Sequence, residues 1–371
     1  MSDFPKFVEF HEEGVREGFQ MEPVTYPREQ RAALINALSE TGLRQIQVGS
    51  LVNPTKVPQM ADTLELFADI KKNPDVRYTL LWLNESGYRR AREVKEAFNH
   101  APLMYYLTDA FALRNNNRTA MEMRAEQEAW LDRYLADGAF PQKVYVMTAW
   151  GCNLGGPVSE ETVVDAFRHA IGMFRDRKLP LPPLYLADTM GWASPEAVKR
   201  RIGAVRELAP EAKIGLHLHD TRGLGGANVY AALSMGVSLL DGSVAGLGGC
   251  PFAGHKARQT SGNICTEDLV SMAHEMGILT GLDLDGLIAT GPALAIALFA
   301  PLALRERLRL FLGRRGAEGE PGVRWIERVA SVAKPLTKLS IPEEGWEKST
   351  LRTRFMNAGW RHPSAPTLYF A

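Results

Sequence analysis

Eight short apolar segments, rich in branched and aromatic residues, alternate along this chain with longer stretches of helical apolar spacing. Each short segment has the length and composition of a buried strand, and each longer stretch repeats its apolar residues at intervals of three or four. This alternation predicts a parallel sheet with helical crossovers, and eight repeats predict an α/β fold of the (β/α)8 TIM barrel type. The predicted strands are Lys6–Phe10, Gln45–Ser50, Arg77–Trp82, Leu103–Leu107, Lys143–Ala149, Leu184–Ala187, Lys213–His219 and Leu239–Ala245.

The stretches between these strands carry helix start signals. Ser159, Thr266 and the pair Ser194-Pro195 stand where a cap or a first helical residue is expected. A barrel of this type occupies about 250 residues, so a chain of 371 residues predicts a barrel over residues 1–290 and a small appended segment over residues 291–371. The predicted helices are Arg28–Ser39, Ala61–Ile70, Ala120–Ala136, Ser159–Arg175, Pro195–Leu208, Gly226–Met235 and Thr266–Met276.

Composition excludes several classes of protein. With 45% hydrophobic residues, 23% charged residues and a formal net charge of zero, nothing indicates a nucleic-acid-binding protein. Three cysteines, Cys152, Cys250 and Cys265, cannot form a disulfide framework, which indicates a reducing compartment. The first residues contain no basic-then-apolar signal segment, so a cytoplasmic location is expected. The composition is also compatible with a homo-oligomer.

The stretch Leu216–Asp220 carries the strongest site signal, because His217 and His219 alternate on a predicted strand and therefore share one face. Such a pair can bind one metal ion, although two buried, hydrogen-bonded histidines fit the same pattern. A glycine-rich segment with a cysteine, Gly246–Pro251, and the segment Ser261–Asn263 follow and favour the metal. Other candidates lie at the carboxyl ends of predicted strands, where barrel enzymes place their sites: Arg16, Glu17, Gln47, Ser50 and Asp188.

Several motifs, in order and spacing over about residues 4–290, resemble the 3-hydroxy-3-methylglutaryl-CoA lyase family of metal-dependent barrel lyases and synthases. The segment from Arg16 to Glu22, Arg-Glu-Gly-Phe-Gln-Met-Glu, resembles the family's Arg-Asp-Gly-Leu-Gln-Asn-Glu. The other matching segments are Val57–Asp62, Asn115–Asn117, Asp188–Gly191, His217–Thr221, Val244–Pro251, Ser261–Asn263 and Thr266–Leu269.

This resemblance implies a divalent cation, Mg²⁺ or Mn²⁺, bound by Glu17, His217, His219 and Asn263, a set of ligands that suits a Lewis acid. It implies retro-Claisen cleavage of 3-hydroxy-3-methylglutaryl-CoA, or a related branched 3-hydroxyacyl-CoA, to acetyl-CoA and a 3-oxo acid, a reaction of leucine catabolism. The implied catalytic residues are Arg16, Cys250, His217 and Asp188. The implied substrate-binding residues are Gln20, Gln47, Ser50 and Asn117, the last in a loop near the CoA.

Two departures from the family pattern concern the site itself. Glu17 stands where the family has an aspartate, and Gln47 stands where the lyases have a glutamate. The carboxylate at 17 survives with one more methylene, whereas the amide at 47 removes a charge and cannot act as a base. These departures leave open another acyl-CoA substrate, the condensation direction, or an inactive barrel that serves as a binding module.

Several of these residues also fit purely structural roles, without catalysis or binding. Cys250 alone would fit a small buried hydrophobe, and Asp188 could cap the helix that follows it. Asn115–Asn117 could form a plain turn. The loop Phe252–Thr260 is longer than in the usual lyase, and its basic residues could contact phosphates or lie in solvent.

The segment from residue 291 onward differs in character from the predicted barrel. It contains 13 Lys and Arg residues against 7 Asp and Glu residues, and such asymmetry indicates a separate origin or partner. Its apolar run Pro292–Leu304 is too short to span a bilayer, which needs about 20 residues. Ser340–Ser349 and Arg354–Arg361 resemble the cytoplasmic region of tight-adherence pilus platform proteins of the type II secretion F family. A basic helical tail, or a fused or truncated gene product, would account for the same residues.

Overall fold

Strands and helices alternate along the chain as the sequence predicts, and the long sheet is parallel. The computed structural model describes residues 4–22, 25–249 and 262–290. Cys250, the loop Phe252–Thr260 and the predicted appended segment with its pilus-protein resemblance therefore lie outside the described residues. The strands are β1 (Glu9–Glu12), β2 (Gln45–Ser50), β3 (Arg77–Leu81), β4 (Pro102–Tyr106), β5 (Lys143–Met147), β6 (Gly151–Cys152), β7 (Gly156–Pro157), β8 (Leu184–Asp188), β9 (Ile214–Leu218) and β10 (Leu239–Gly242).

Eight of these strands follow one another in the order β3-β2-β1-β10-β9-β8-β5-β4. Their pairings are all parallel, and β1 pairs with β10, so the first and last strands of the set meet as barrel closure requires. β3 and β4 stand at the two ends of this order, and within the described ranges no pairing joins them. The short strands β6 and β7 form a separate antiparallel pair. The curled parallel sheet with its helices is the (β/α)8 barrel expected from the sequence.

The helices cover the outside of the sheet, and three of them match their predicted bounds: Arg28–Ser39, Ala120–Ala136 and Pro195–Leu208. In the part of the chain that the structure describes, no helix is long and apolar enough to cross a membrane. The helices are α1 (Gly14–Met21), α2 (Arg28–Ser39), α3 (Thr63–Asp69), α4 (Glu85–Ala91), α5 (Lys95–Phe98), α6 (Asp109–Asn116), α7 (Ala120–Ala136), α8 (Glu160–Asp176), α9 (Pro195–Leu208), α10 (Gly225–Ser234) and α11 (Thr266–Glu275).

The first strand differs from its predicted position. The apolar pattern indicated Lys6–Phe10, but β1 begins at Glu9, and Phe7 instead forms an isolated bridge with Leu279. The displaced part of the strand contains His11, whose side chain is buried inside the barrel among other polar groups. A hydrophobicity pattern does not detect a strand whose inward face is polar, so this prediction was wrong by three residues at its start.

Helix α1 was not predicted, although it carries three of the predicted site residues, Arg16, Glu17 and Gln20. Val15 and Phe19 are one helical turn apart and both are buried, while Arg16 and Glu17 begin the helix on the side of the barrel mouth. The helix follows β1 after a single residue, Glu13, so it holds these side chains at the carboxyl end of the strand. The helix could have been predicted from the spacing of Val15 and Phe19, which is that of one helical turn.

Candidate functional site

Two imidazoles and a carboxylate meet at the carboxyl ends of the strands. His217 lies on β9 and His219 lies just beyond it, and the strand alternation points both rings to the same side. Their Nε2 atoms are 3.0 Å apart, and they lie 3.7 and 3.8 Å from the two carboxylate oxygens of Glu17. One ligand atom from each of the three residues falls within 4.8 Å of the other two, so one cation can contact all three.

Asn263 joins this group from the chain segment that follows β10. An antiparallel bridge places its backbone beside that of His219. Its side-chain Oδ1 and Nδ2 atoms are buried and, within the described residues, lack hydrogen-bond partners, as does Oε2 of Glu17. Buried polar atoms without partners are costly, and a bound cation would satisfy both oxygens. Glu17, His217, His219 and Asn263 therefore fit a divalent metal.

Burial and nearby charges act differently on the protonation of the three ligand side chains. Burial raises the pKa of Glu17, but Arg16 and the two histidines outweigh it and lower the pKa to about 2. Burial lowers the pKa of His219 to about 3, which keeps its ring neutral. His217 differs, because the nearby carboxylates of Glu17 and Asp241 outweigh burial and raise its pKa. A cation would replace the proton that these carboxylates favour on His217.

A buried polar network orients His217 from inside the barrel. Oδ2 of Asp241, on β10, lies 3.1 Å from Nδ1 of His217 and accepts a hydrogen bond from the Tyr145 hydroxyl at 2.7 Å. Its Oδ1 accepts from Lys143 Nζ at 3.2 Å and lies 3.4 Å from Nδ1 of His11. Asp241, Tyr145, Lys143 and His11 were not predicted as site residues from the sequence. The available signal was a pair of polar residues two positions apart, Lys143 and Tyr145 on β5 and Glu9 and His11 on β1, in strands whose inward face is usually apolar.

The Arg16 guanidinium is held beside the metal ligands by three groups. Its Nη2 donates to Oε2 of Glu13 at 3.0 Å and contacts Oε1 of Glu17 at 2.7 Å, and its Nε donates to the side-chain oxygen of Gln47. These residues line an open cleft that reaches into the barrel. The structure thus brings Arg16, Gln47 and the predicted ligands Glu17 and His217 together at one cleft.

The other predicted site residues lie in different surroundings. The Ser50 hydroxyl donates to Oε1 of Gln20 at 3.3 Å, at the end of β2. Asp188 ends β8, and its two oxygens accept from the backbone N–H groups of Trp192 and Ala193 at 2.7 and 2.9 Å. Burial raises the pKa of this aspartate to about 6. Asp188 does not cap the helix that follows, because Ser194 is the N-cap of α9; its hydrogen bonds stabilise the turn before that helix. Asn117 is exposed and ends α6 in the left-handed conformation, as a turn residue does.

Two glycines show how closely the loop after β10 approaches the site. Gly248 has φ +101°, and a Cβ there would lie 2.9 Å from Cβ of Glu17. A Cβ on Gly262 would lie 1.8 Å from the carbonyl oxygen of Gly246. Only glycine allows both the backbone angle and these approaches. The described ends of the segment that contains Cys250 therefore converge beside the metal ligands.

A parallel barrel whose strands end in two imidazoles, a carboxylate and a guanidinium defines a class, the metal-dependent barrel enzymes. The family model described as HMGL-like matches residues 8–293, and the chain belongs to this family. It is a carbon–carbon lyase. The family depends in general on a divalent metal, for which Glu17, His217 and His219 form a candidate site.

Individual relatives agree with this assignment over most of their length. The mitochondrial hydroxymethylglutaryl-CoA lyase of Gallus gallus is 35% identical over 297 residues, which cover 80% of this chain and 95% of that protein. The cytoplasmic 3-hydroxy-3-methylglutaryl-CoA lyase of Mus musculus is 35% identical over 288 residues, 77% of this chain and 80% of that protein. A solved HMG-CoA lyase of Acinetobacter baumannii, in complex with coenzyme A and 3-methylmalate, is 34% identical with a TM-score of 0.71; the match covers 87% of this chain and 100% of that one.

Proposed function

We propose that this chain cleaves 3-hydroxy-3-methylglutaryl-CoA, or a closely related branched 3-hydroxyacyl-CoA, to acetyl-CoA and a 3-oxo acid. The observation that carries the proposal is the cluster of Glu17, His217 and His219 beside the Arg16 guanidinium. The names of the related lyases support the substrate, and the coenzyme A bound to the Acinetobacter baumannii lyase supports a thioester of CoA. Asn263 would complete the ligands of the metal, which we infer to be Mg²⁺ or Mn²⁺ because the donors are mainly oxygen and imidazole.

The reaction is a retro-Claisen cleavage. A base, for which we infer Asp188 or His217, takes the proton of the tertiary hydroxyl. The adjacent carbon–carbon bond then breaks to give the 3-oxo acid, and its electron pair forms the enolate of the acetyl thioester. When bound, the metal would act as a Lewis acid for the substrate oxygens. Arg16 lies where its positive charge can offset the charge that develops on oxygen, and Asp241 holds His217 in one orientation for proton transfer.

The enolate carbon must then receive a proton. We assign this step to Cys250, which follows Gly248 and Gly249 in the loop that approaches Glu17. A glycine-rich loop has the backbone freedom to close over the enolate and exclude water. We further infer that Gln20, Gln47 and Ser50 contact the acyl group and that Asn117 lies toward the CoA.

The remaining inferences concern the domains, the oligomeric state and the cellular location of the enzyme. We infer a barrel domain over residues 1–290 with a basic C-terminal segment over residues 291–371, and a homo-oligomer remains compatible with the chain. Related lyases carry cytoplasmic or mitochondrial names. We infer a cytoplasmic location for this chain from its three cysteines, which are too few for a disulfide framework.

The test is release of acetyl-CoA from 3-hydroxy-3-methylglutaryl-CoA by the purified full chain with Mg²⁺ or Mn²⁺. We expect release that a chelator abolishes and that Cys250→Ala lowers by about 10² to 10⁴-fold, the range for loss of a general acid. Cys152→Ala, at a buried cysteine of the core, is the matched control and should keep its kcat. A protein that binds metal but releases acetyl-CoA from no branched 3-hydroxyacyl-CoA would contradict the proposal.

A further inference from the structure

Glu13 is a buried carboxylate that lines the cleft. It is neither one of the proposed metal ligands nor part of the proposed reaction. It stands between β1 and α1, and its side chain is 2% exposed. Oε2 accepts from Arg16, whereas Oε1 is buried and, within the described residues, has no hydrogen-bond partner. The other charged groups that act on it are Asp241, Lys143 and Glu17. Such a carboxylate is costly to bury, so its position calls for a function.

The contacts of Arg16 indicate what this function is. One nitrogen, Nη2, contacts both Glu13 and Glu17, at 3.0 and 2.7 Å. Two carboxylates therefore share one guanidinium, and removal of one would let the arginine pair fully with the other. A guanidinium paired fully with Glu17 would occupy the carboxylate oxygens that a cation needs.

We propose that Glu13 is a positioning residue that shares the Arg16 guanidinium with Glu17 and so leaves the second carboxylate oxygen of Glu17 available to bind the metal. The inference rests on the proposed function. The Nε atom of Arg16 donates to the side chain of Gln47. This neutral amide stands where the lyases that the chain resembles carry a glutamate. In this chain the negative charge beside the arginine comes from the end of β1 instead of from β2.

Mn²⁺ affinity of the full chain, measured by the EPR signal of free Mn²⁺, tests this without any turnover. Glu13→Gln should weaken binding about tenfold, as is typical for loss of a group that orients a metal ligand. Glu13→Gln combined with Gln47→Glu should recover most of that loss, because the carboxylate is returned to the other side of Arg16. Glu85→Gln is the matched control, since Glu85 also pairs with two arginines, Arg89 and Arg133, but on the surface. Its affinity should equal that of the wild type.

An affinity of Glu13→Gln equal to the wild type, or a double variant that binds no better than Glu13→Gln, would overturn the proposal. Unfolding midpoints separate binding from folding. If Glu13→Gln does not fold, Glu13→Asp with and without Gln47→Glu replaces it, and equal affinities of that pair would overturn the proposal. A wild type that binds Mn²⁺ but cleaves no thioester would contradict the proposed function alone, whereas one that binds no Mn²⁺ would overturn this inference.

Discussion

Nδ1 of His217 lies 3.1 Å from Oδ2 of Asp241, and this contact determines what the other side of the ring can do. A proton on Nδ1 donates to the carboxylate, so the lone pair on Nε2 faces His219. The two Nε2 atoms are 3.0 Å apart, which suits ligation of one cation and also suits a hydrogen bond within an ordinary histidine pair. The metal therefore stays a prediction for these histidines.

Substitution of His219 by alanine should abolish the metal response of stability. At Mn²⁺ concentrations about 100 times Kd, the wild type should gain about 2.7 kcal/mol in free energy of unfolding, because the metal binds only the folded chain. His219→Ala should gain nothing. His274→Ala is the control, since His274 lies on α11, where its ring hydrogen-bonds to the Thr280 hydroxyl, and its loss should leave the gain unchanged. Denaturant unfolding with and without Mn²⁺ measures the difference, and a full gain in His219→Ala would argue against this ligand.

Asp241→Asn should weaken Mn²⁺ binding by about 10 to 100-fold, the usual cost of losing a partner that orients a metal-bound histidine. The amide keeps the shape of the side chain but can donate to Nδ1 of His217, which favours the wrong tautomer. Isothermal titration with Mn²⁺ measures the change. Asp132→Asn, at an exposed aspartate paired with Arg177, should bind Mn²⁺ as the wild type does. Equal affinities of the two variants would contradict the orienting role of Asp241.

Glu12→Gln should lower the free energy of unfolding by about 1–3 kcal/mol, the cost of leaving buried donors without acceptors. The buried carboxylate accepts from the N–H groups of Gly14 and Val244 and from the Thr266 hydroxyl, at 2.9, 2.9 and 3.0 Å. It thus joins the start of α1, the turn after β10 and the start of α11. An amide can satisfy only part of this set. Chemical denaturation measures the loss, and Glu29→Gln at the start of α2 should change stability by less than 0.5 kcal/mol, as is usual for a surface residue.

Glu9 should make stability depend on pH at the acidic end. The hydrogen bond from His11, together with the charges of His11 and Arg77, outweighs burial and lowers the pKa of Glu9 from 4.5 to about 2. Its contribution is therefore present above pH 4.5 and is lost as the pH falls through about 2. Glu9→Gln should be less stable than the wild type by about 0.5–1 kcal/mol at pH 7, the usual value of a partly exposed ion pair.

That difference should shrink between pH 4.5 and pH 2. Urea unfolding of both proteins across this range measures it. If the difference stays constant down to pH 2, the pKa of Glu9 is not lowered in the folded protein.

Much of the barrel could be predicted from the sequence because its cause is local. The bounds of β2, α2, α7 and α9 agree with those expected from apolar periodicity and capping residues. Prediction was wrong where the local pattern conflicts with the environment, as at β1, whose residue His11 faces a polar interior. The roles expected of Cys250, Asp188 and Asn117 stay predictions.

By itself, the sequence determined that strands and helices alternate eight times and that His217 and His219 share a face, because both follow from the period of a strand or a helix. Only the tertiary structure decided which other residues surround these two histidines and hold them in place. Asp241 on β10 reaches His217 on β9, Lys143 on β5 and His11 on β1 only because these strands close into one sheet. The physical reason is that the sheet, and not spacing along the chain, sets which residues surround Asp241, whereas the pair of Glu13 and Arg16 follows from local helical spacing.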